Sequence, residues 1–142
     1  MLFRSDAARG RDIFNKHAGV QCLRCHALSG KGGTVGPDLA GAGARLTREL
    51  LLESIVFPNK QIAPGFENVA VVLKNGGTRA GVVKSETDSE LVLHSLEDGV
   101  MRIAKDTIQS RTKGLSAMPE GLDKLMTRRE LRDLVEYLST LK

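Results

Sequence analysis

The segment Cys22-Leu23-Arg24-Cys25-His26 constrains this chain more than any other feature. It is the C-x-x-C-H pattern of c-type haem attachment, and it holds both cysteines of the protein. Two thiols three positions apart on a helical turn can each add to one vinyl group of a porphyrin. The histidine directly after the second thiol then lies beneath the ring, with an imidazole nitrogen able to reach iron. The same cysteines could form a redox dithiol or half of a zinc site. A structural zinc site takes four ligands rich in Cys or His, and only the distant His17 and His94 could add to Cys22, Cys25 and His26. A thioredoxin-like dithiol needs a βαβ frame, and none is visible. The motif therefore points to one covalent haem c with its iron, carried on Cys22, Cys25 and His26.

A chain of 142 residues suits one compact domain, or a domain with a modest insertion. Aromatic residues are scarce, with no Trp, one Tyr and four Phe, which suits a core partly supplied by a porphyrin. The formal charge of +4 comes from scattered basic residues without a dense run, so an acidic protein partner fits and a nucleic acid does not. No stretch approaches the ~18 consecutive apolar residues of a membrane span. The first six residues show neither an apolar h-region nor a cleavage site. Covalent haem attachment in bacteria takes place outside the cytoplasm, so the expectation is a periplasmic or otherwise exported protein, read here as a mature or excised part of a longer chain.

Residues 5–17 read as a helix, with Ala7, Ala8, Ile13 and Phe14 on its apolar side. Gly10 costs about 1 kcal/mol there relative to Ala, which suggests a close helix crossing. The many glycines of residues 29–44 predict a loop. Helix resumes over 47–57 behind a Thr47 cap and stops at Pro58. The period then changes to that of strands: 68–74, 78–84, 90–95, 100–104 and a short piece at 107–111, with Asn75-Gly76 and Asp98-Gly99 as turns. These predict an antiparallel β-meander of four or five strands over about 67–111. Thr127-Arg128-Arg129-Glu130 is a capping-box pattern. It opens a last helix striped by Leu131, Leu134, Val135 and Leu138, with Tyr137 at its edge.

An iron held by His26 needs a sixth ligand or an open position. Met1 is terminal, Met101 falls in a strand, and Met126 precedes the last helix. Met118 stands in Leu115-Ser116-Ala117-Met118-Pro119, where Pro119 stiffens the chain. Met118 is the candidate, and a sulfur ligand raises the potential. An isolated Met more often fills a core gap. His17 and His94 read as ordinary residues. Gly36-Pro37-Asp38-Leu39 follows His26 at a distance that lets the Pro37 carbonyl accept the His26 Nδ1–H; otherwise it is a plain turn. The glycine-rich loop lacks a Walker pattern, so phosphate binding is a weak reading.

Taken together, the first helix with Gly10 and Phe14, C-x-x-C-H, Gly-Pro-Asp-Leu, Met-Pro and the closing helix with its aromatic resemble class I cytochrome c. That resemblance implies a mainly α fold whose first and last helices cross through Gly10, Phe14 and Tyr137, with the β-meander inserted between motif and methionine. The 92 positions from His26 to Met118 exceed a compact member's spacing. The phrases Leu52-Glu53-Ser54-Ile55, Pro58-Asn59, Ile62-Ala63-Pro64-Gly65-Phe66, the strand-Asn75-Gly76-strand-Gly81 run and Met118-Pro119 resemble the planctomycete and verrucomicrobial haem-binding domain. That domain ends large exported dehydrogenase-like chains. The implied function is non-enzymatic electron transfer with His26 and Met118 on iron, from a dehydrogenase to a respiratory carrier. Two rivals are a haem enzyme or sensor with an open sixth position, and a binding module in which haem is secondary. The absence of aromatics from Val69 to Gln109 disfavours a carbohydrate-stacking surface.

Overall fold

The computed structural model describes residues 4–142; Met1 therefore lies outside the described residues. The chain forms two compact units: one combines the chain up to Gln61 with Met118–Lys142, and the other is Ile62–Ala117.

In the first unit, helix α1 (Ala7–Lys16) starts one residue after Asp6, whose carboxylate accepts the N–H groups of Ala8 and Arg9 at 2.9 and 3.1 Å. A 3-10 turn over Cys22–Arg24 carries the motif. Two short strands follow, β1 (Ala27–Leu28) and β2 (Lys31–Gly32), paired as a hairpin. Its two central residues, Ser29 and Gly30, both have positive φ (53° and 75°), as the tightest hairpin turns require. Then come the single turn α2 (Ala42–Arg45) and helix α3 (Arg48–Val56), capped by the Thr47 hydroxyl. The predicted loop over 29–44 thus contains a strand and a helical turn. Glycine content identified its sharp bends but not the pairing that they permit.

Helix α4 (Arg128–Ser139) has the full capping box: Glu130 N–H donates to Thr127, and Thr127 N–H donates to the Glu130 carboxylate. Its Leu134, Val135 and Leu138 bury against Phe14 of α1, Ala42 of α2 and Leu51 and Ile55 of α3. The aromatic rings of Phe14 and Tyr137 lie 5.8 Å apart, tilted by 56°. Asp133 shares the same buried face at 1% exposure. Both of its oxygens are used, one by Asp6 N–H at 2.8 Å and the other by Arg9 Nε at 3.0 Å. A buried carboxylate is tolerated when its hydrogen bonds are satisfied in this way.

The second unit is one antiparallel sheet of β3 (Asn68–Leu73), β4 (Thr78–Glu86), β5 (Glu90–Ser95), β6 (Gly99–Ala104) and β7 (Ile108–Lys113). Spatial order is β6-β5-β4-β3-β7, so the last strand does not continue the meander. A 3-10 turn over Lys105–Thr107 redirects the chain, and β7 pairs with β3 on the far edge. Alternation places Val69, Val71, Leu91, Leu93 and Ile103 in a core of the unit's own. The Asn75-Gly76 turn is closed by the Asn75 side chain, which accepts the Gly77 N–H at 2.9 Å. Where the ends of the unit meet, Gly114 N–H donates to Asn68 O and Asn68 Nδ2 donates to Leu115 O, both at 2.8 Å.

The expected mainly α fold is corrected by these elements. Helix makes up 32% and strand 27%, so the architecture is mixed. The four helices of the described residues run only four to twelve residues, while the sheet's strands are six to nine long. Resemblance at both ends of the chain gave the helices too much weight.

The α1–α4 contact supplies a sharp test of packing. Gly→Ala in an open helix gains about 1 kcal/mol. A Cβ on Gly10, however, would overlap the Asp133 carbonyl oxygen and press on Tyr137 Cβ at 2.6 Å. Gly10→Ala should therefore destabilise, by about 1–3 kcal/mol, seen as a lower denaturant midpoint. A midpoint that rises would show that the helices do not meet there.

Candidate functional site: two thiols and an oriented imidazole

The motif turn is built by the backbone. Gln21 adopts left-handed φ (45°), and the N–H groups of Cys25 and His26 both donate to the Cys22 carbonyl, at 3.2 and 3.0 Å. This winds the chain so that Cys22, Cys25 and His26 belong to one turn. Neither cysteine is in a disulfide, and each is partly buried. Burial pushes the Cys22 thiol up to about 11. Burial raises Cys25 as well, opposed by the positive charge of Arg24. Burial thus favours the protonated thiol at both positions, more strongly at Cys22.

His26 Nδ1 lies 2.7 Å from the Pro37 carbonyl oxygen. A carbonyl can only accept, so the proton sits on Nδ1 and Nε2 keeps its lone pair. Burial lowers the His26 pKa, while the Pro37 bond acts in the opposite sense. The neutral imidazole that a metal requires is therefore favoured. Gly36 lies against the ring: a Cβ there would come within 2.7 Å of Cε1 and 2.9 Å of Nδ1. Residue 36 has to be glycine for the loop to lie this close.

Met118 belongs to the same unit and packs, partly buried, against its core. Its neighbour segment is braced by Asn59 Nδ2 donating to the Glu120 carboxylate at 2.7 Å, a contact that sequence reading missed. Met126 is 8% exposed inside the core, and Met101 packs against the core of the sheet. His17 Nδ1 accepts from Gly19 and Val20 N–H at 3.0 and 3.3 Å, closing the turn after α1. His94 lies on β5 in the other unit. The described residues hold no cluster of three or more His, Cys, Asp or Glu side chains suited to a bare metal ion.

Two thiols outside any disulfide and an imidazole with Nε2 available, on one turn, are residues that fit a covalently attached haem. The profile of the cytochrome c family matches residues 7–91, more than half of the chain, and the chain belongs to that family. No curated protein matches it. The family binds haem c covalently, with its iron. The protein is thus a haem-binding electron-transfer protein of a family that works with redox partners and is typically exported. No helix among the described residues is long and apolar enough to cross a membrane. The match covers α1, the motif, α2, α3, β3 and β4 and ends at Leu91 in β5, short of Met118 and α4.

Thiol reactivity follows thiolate content. In the haem-free chain, Cys25 should alkylate faster than Cys22, and both should speed up as pH rises. Mass mapping of a brief iodoacetamide pulse reads this, and preferential labelling of Cys22 would contradict the burial order.

Proposed function

We propose that this chain is a mono-haem c-type cytochrome with His/Met ligation, in which Cys22 and Cys25 form the thioether links and His26 and Met118 hold the iron. The observation that carries this is the 2.7 Å contact of His26 Nδ1 with the Pro37 carbonyl, which leaves Nε2 for a metal beside two free thiols. When bound, the haem supplies a one-electron ferric/ferrous couple. Pro37 fixes the tautomer of His26 and increases its basicity. The Met118 thioether, stiffened by Pro119 and braced through Asn59 and Glu120, favours the reduced state. Support for Met118 over Met126 comes from position: Met126 is part of the packed core, whereas Met118 stands at its edge.

The wider reading keeps the resemblance to the planctomycete and verrucomicrobial haem-binding domain. On it, a dehydrogenase delivers electrons to this domain and a respiratory carrier removes them, in the periplasm or an equivalent exported location. The chain is one cytochrome domain interrupted by a sheet, and it carries out no substrate chemistry of its own.

Replacing Cys22 and Cys25 together by Ala should abolish the haem that survives acid denaturation. Met118→Ala should remove the sulfur-to-iron charge-transfer band, lower the midpoint potential and admit imidazole to the iron. Met126→Ala and Met101→Ala should leave the band in place. A band that persists in Met118→Ala would assign the sixth position to another residue.

A further inference from the structure

The glycine-rich run after His26 makes a closer approach to the motif than any ligand assignment requires. Gly33 N–H donates to the Leu23 carbonyl and Gly36 N–H to the Cys25 carbonyl, both at 2.8 Å. A Cβ on Gly33 would overlap the Arg24 carbonyl oxygen, and one on Gly32 would overlap the His26 carbonyl oxygen. The Gly32 backbone also has positive φ (108°), but that of Gly33 does not. At residue 33 the missing side chain therefore answers to contact alone. Gly30, in the same loop, is the reverse case: its φ is 75° and nothing would lie within 4 Å of its Cβ. The fastened loop runs on to Pro37, the acceptor for His26.

We propose that Gly32 and Gly33 are positioning residues for the His26 imidazole: they let the loop rest directly on the motif backbone and so hold the Pro37 carbonyl in reach of Nδ1. The proposal rests on His26 being an iron ligand, as argued above. A firm bond at Nδ1 makes the imidazole a stronger donor, which favours ferric iron. A side chain at residue 33 lifts the loop, weakens that bond and moves the potential upward.

The test compares the haem-loaded wild-type protein with Gly33→Ala and Gly30→Ala. Gly33→Ala should keep its covalent haem and show a higher midpoint potential. Gly30→Ala should lower the denaturant midpoint through backbone strain while leaving the potential unchanged. An unshifted potential in Gly33→Ala, or an equal shift in Gly30→Ala, would overturn the proposal. Amide hydrogen exchange on the wild-type protein gives a reading that does not depend on any variant folding. The Gly33 and Gly36 amides should exchange on the order of a hundredfold more slowly than unstructured amides. Exchange at the unstructured rate would also overturn it. A wild-type protein without covalent haem or histidine ligation would instead sink the haem assignment itself, so the two failures are distinguishable.

Discussion

At 2.7 Å, the bond between His26 Nδ1 and the Pro37 carbonyl settles which ring nitrogen holds the proton, and the rest of the motif is arranged around it. A ring free to rotate or to exchange tautomers would offer a metal a moving target. Here the acceptor is a backbone atom of a proline, whose φ is fixed by its own ring. The loop bearing that proline is fastened to the motif at two further carbonyls. Histidine orientation is thus a property of the backbone rather than of neighbouring side chains, and substitution of surface residues in the loop leaves it intact.

The helical part of the unit serves the same end more remotely. Asp6, Arg9 and Asp133 join the first turn of α1 to the middle of α4, and Gly10 removes the last obstacle to their approach. With its partners in place, the buried carboxylate costs little, whereas loss of Arg9 would leave the charge without its counter-charge and loss of the Asp6 N–H would leave one oxygen unsatisfied. Five residues separate the end of α1 from the motif turn, so a firmly seated α1 limits where Cys22 can lie.

Much of this was legible in the sequence wherever the determining interaction is local. C-x-x-C-H, the Thr127–Glu130 capping box, the Thr47 cap and the Asn75-Gly76 turn each act within a few residues, and each is present at its expected place. What could not be read depends on partners far along the chain. Asp133 interrupts an apolar stripe, and its burial is explained by Asp6 N–H and Arg9 Nε, 127 and 124 positions away. Pairing of β7 with β3 rather than β6 follows from a redirected turn and has no sequence period. Glycines at 32 and 33 looked like breakers of structure, because contact of one backbone with another leaves no mark on side-chain pattern. The helix-to-strand balance went wrong for a related reason: motifs at the two ends say nothing about how the residues between them divide.

The meeting of the two ends of the sheet unit has a consequence for the chain as a polymer. Bringing Asp6 to Asp133 closes a loop of 127 positions. The entropy of closure grows as the logarithm of the flexible length. Because Asn68 is hydrogen-bonded to Gly114 and Leu115, the folded strands between them contribute no slack. To the helices on either side, the stretch from 62 to 117 behaves as a tether of about eleven residues, the rest being short-circuited. Relative to the same stretch left disordered, this shortens the closed loop by about 45 residues and lowers its closure penalty by roughly 0.4 kcal/mol. A segment that more than doubles the distance from histidine to methionine along the chain thus adds little to the entropy of closing that chain.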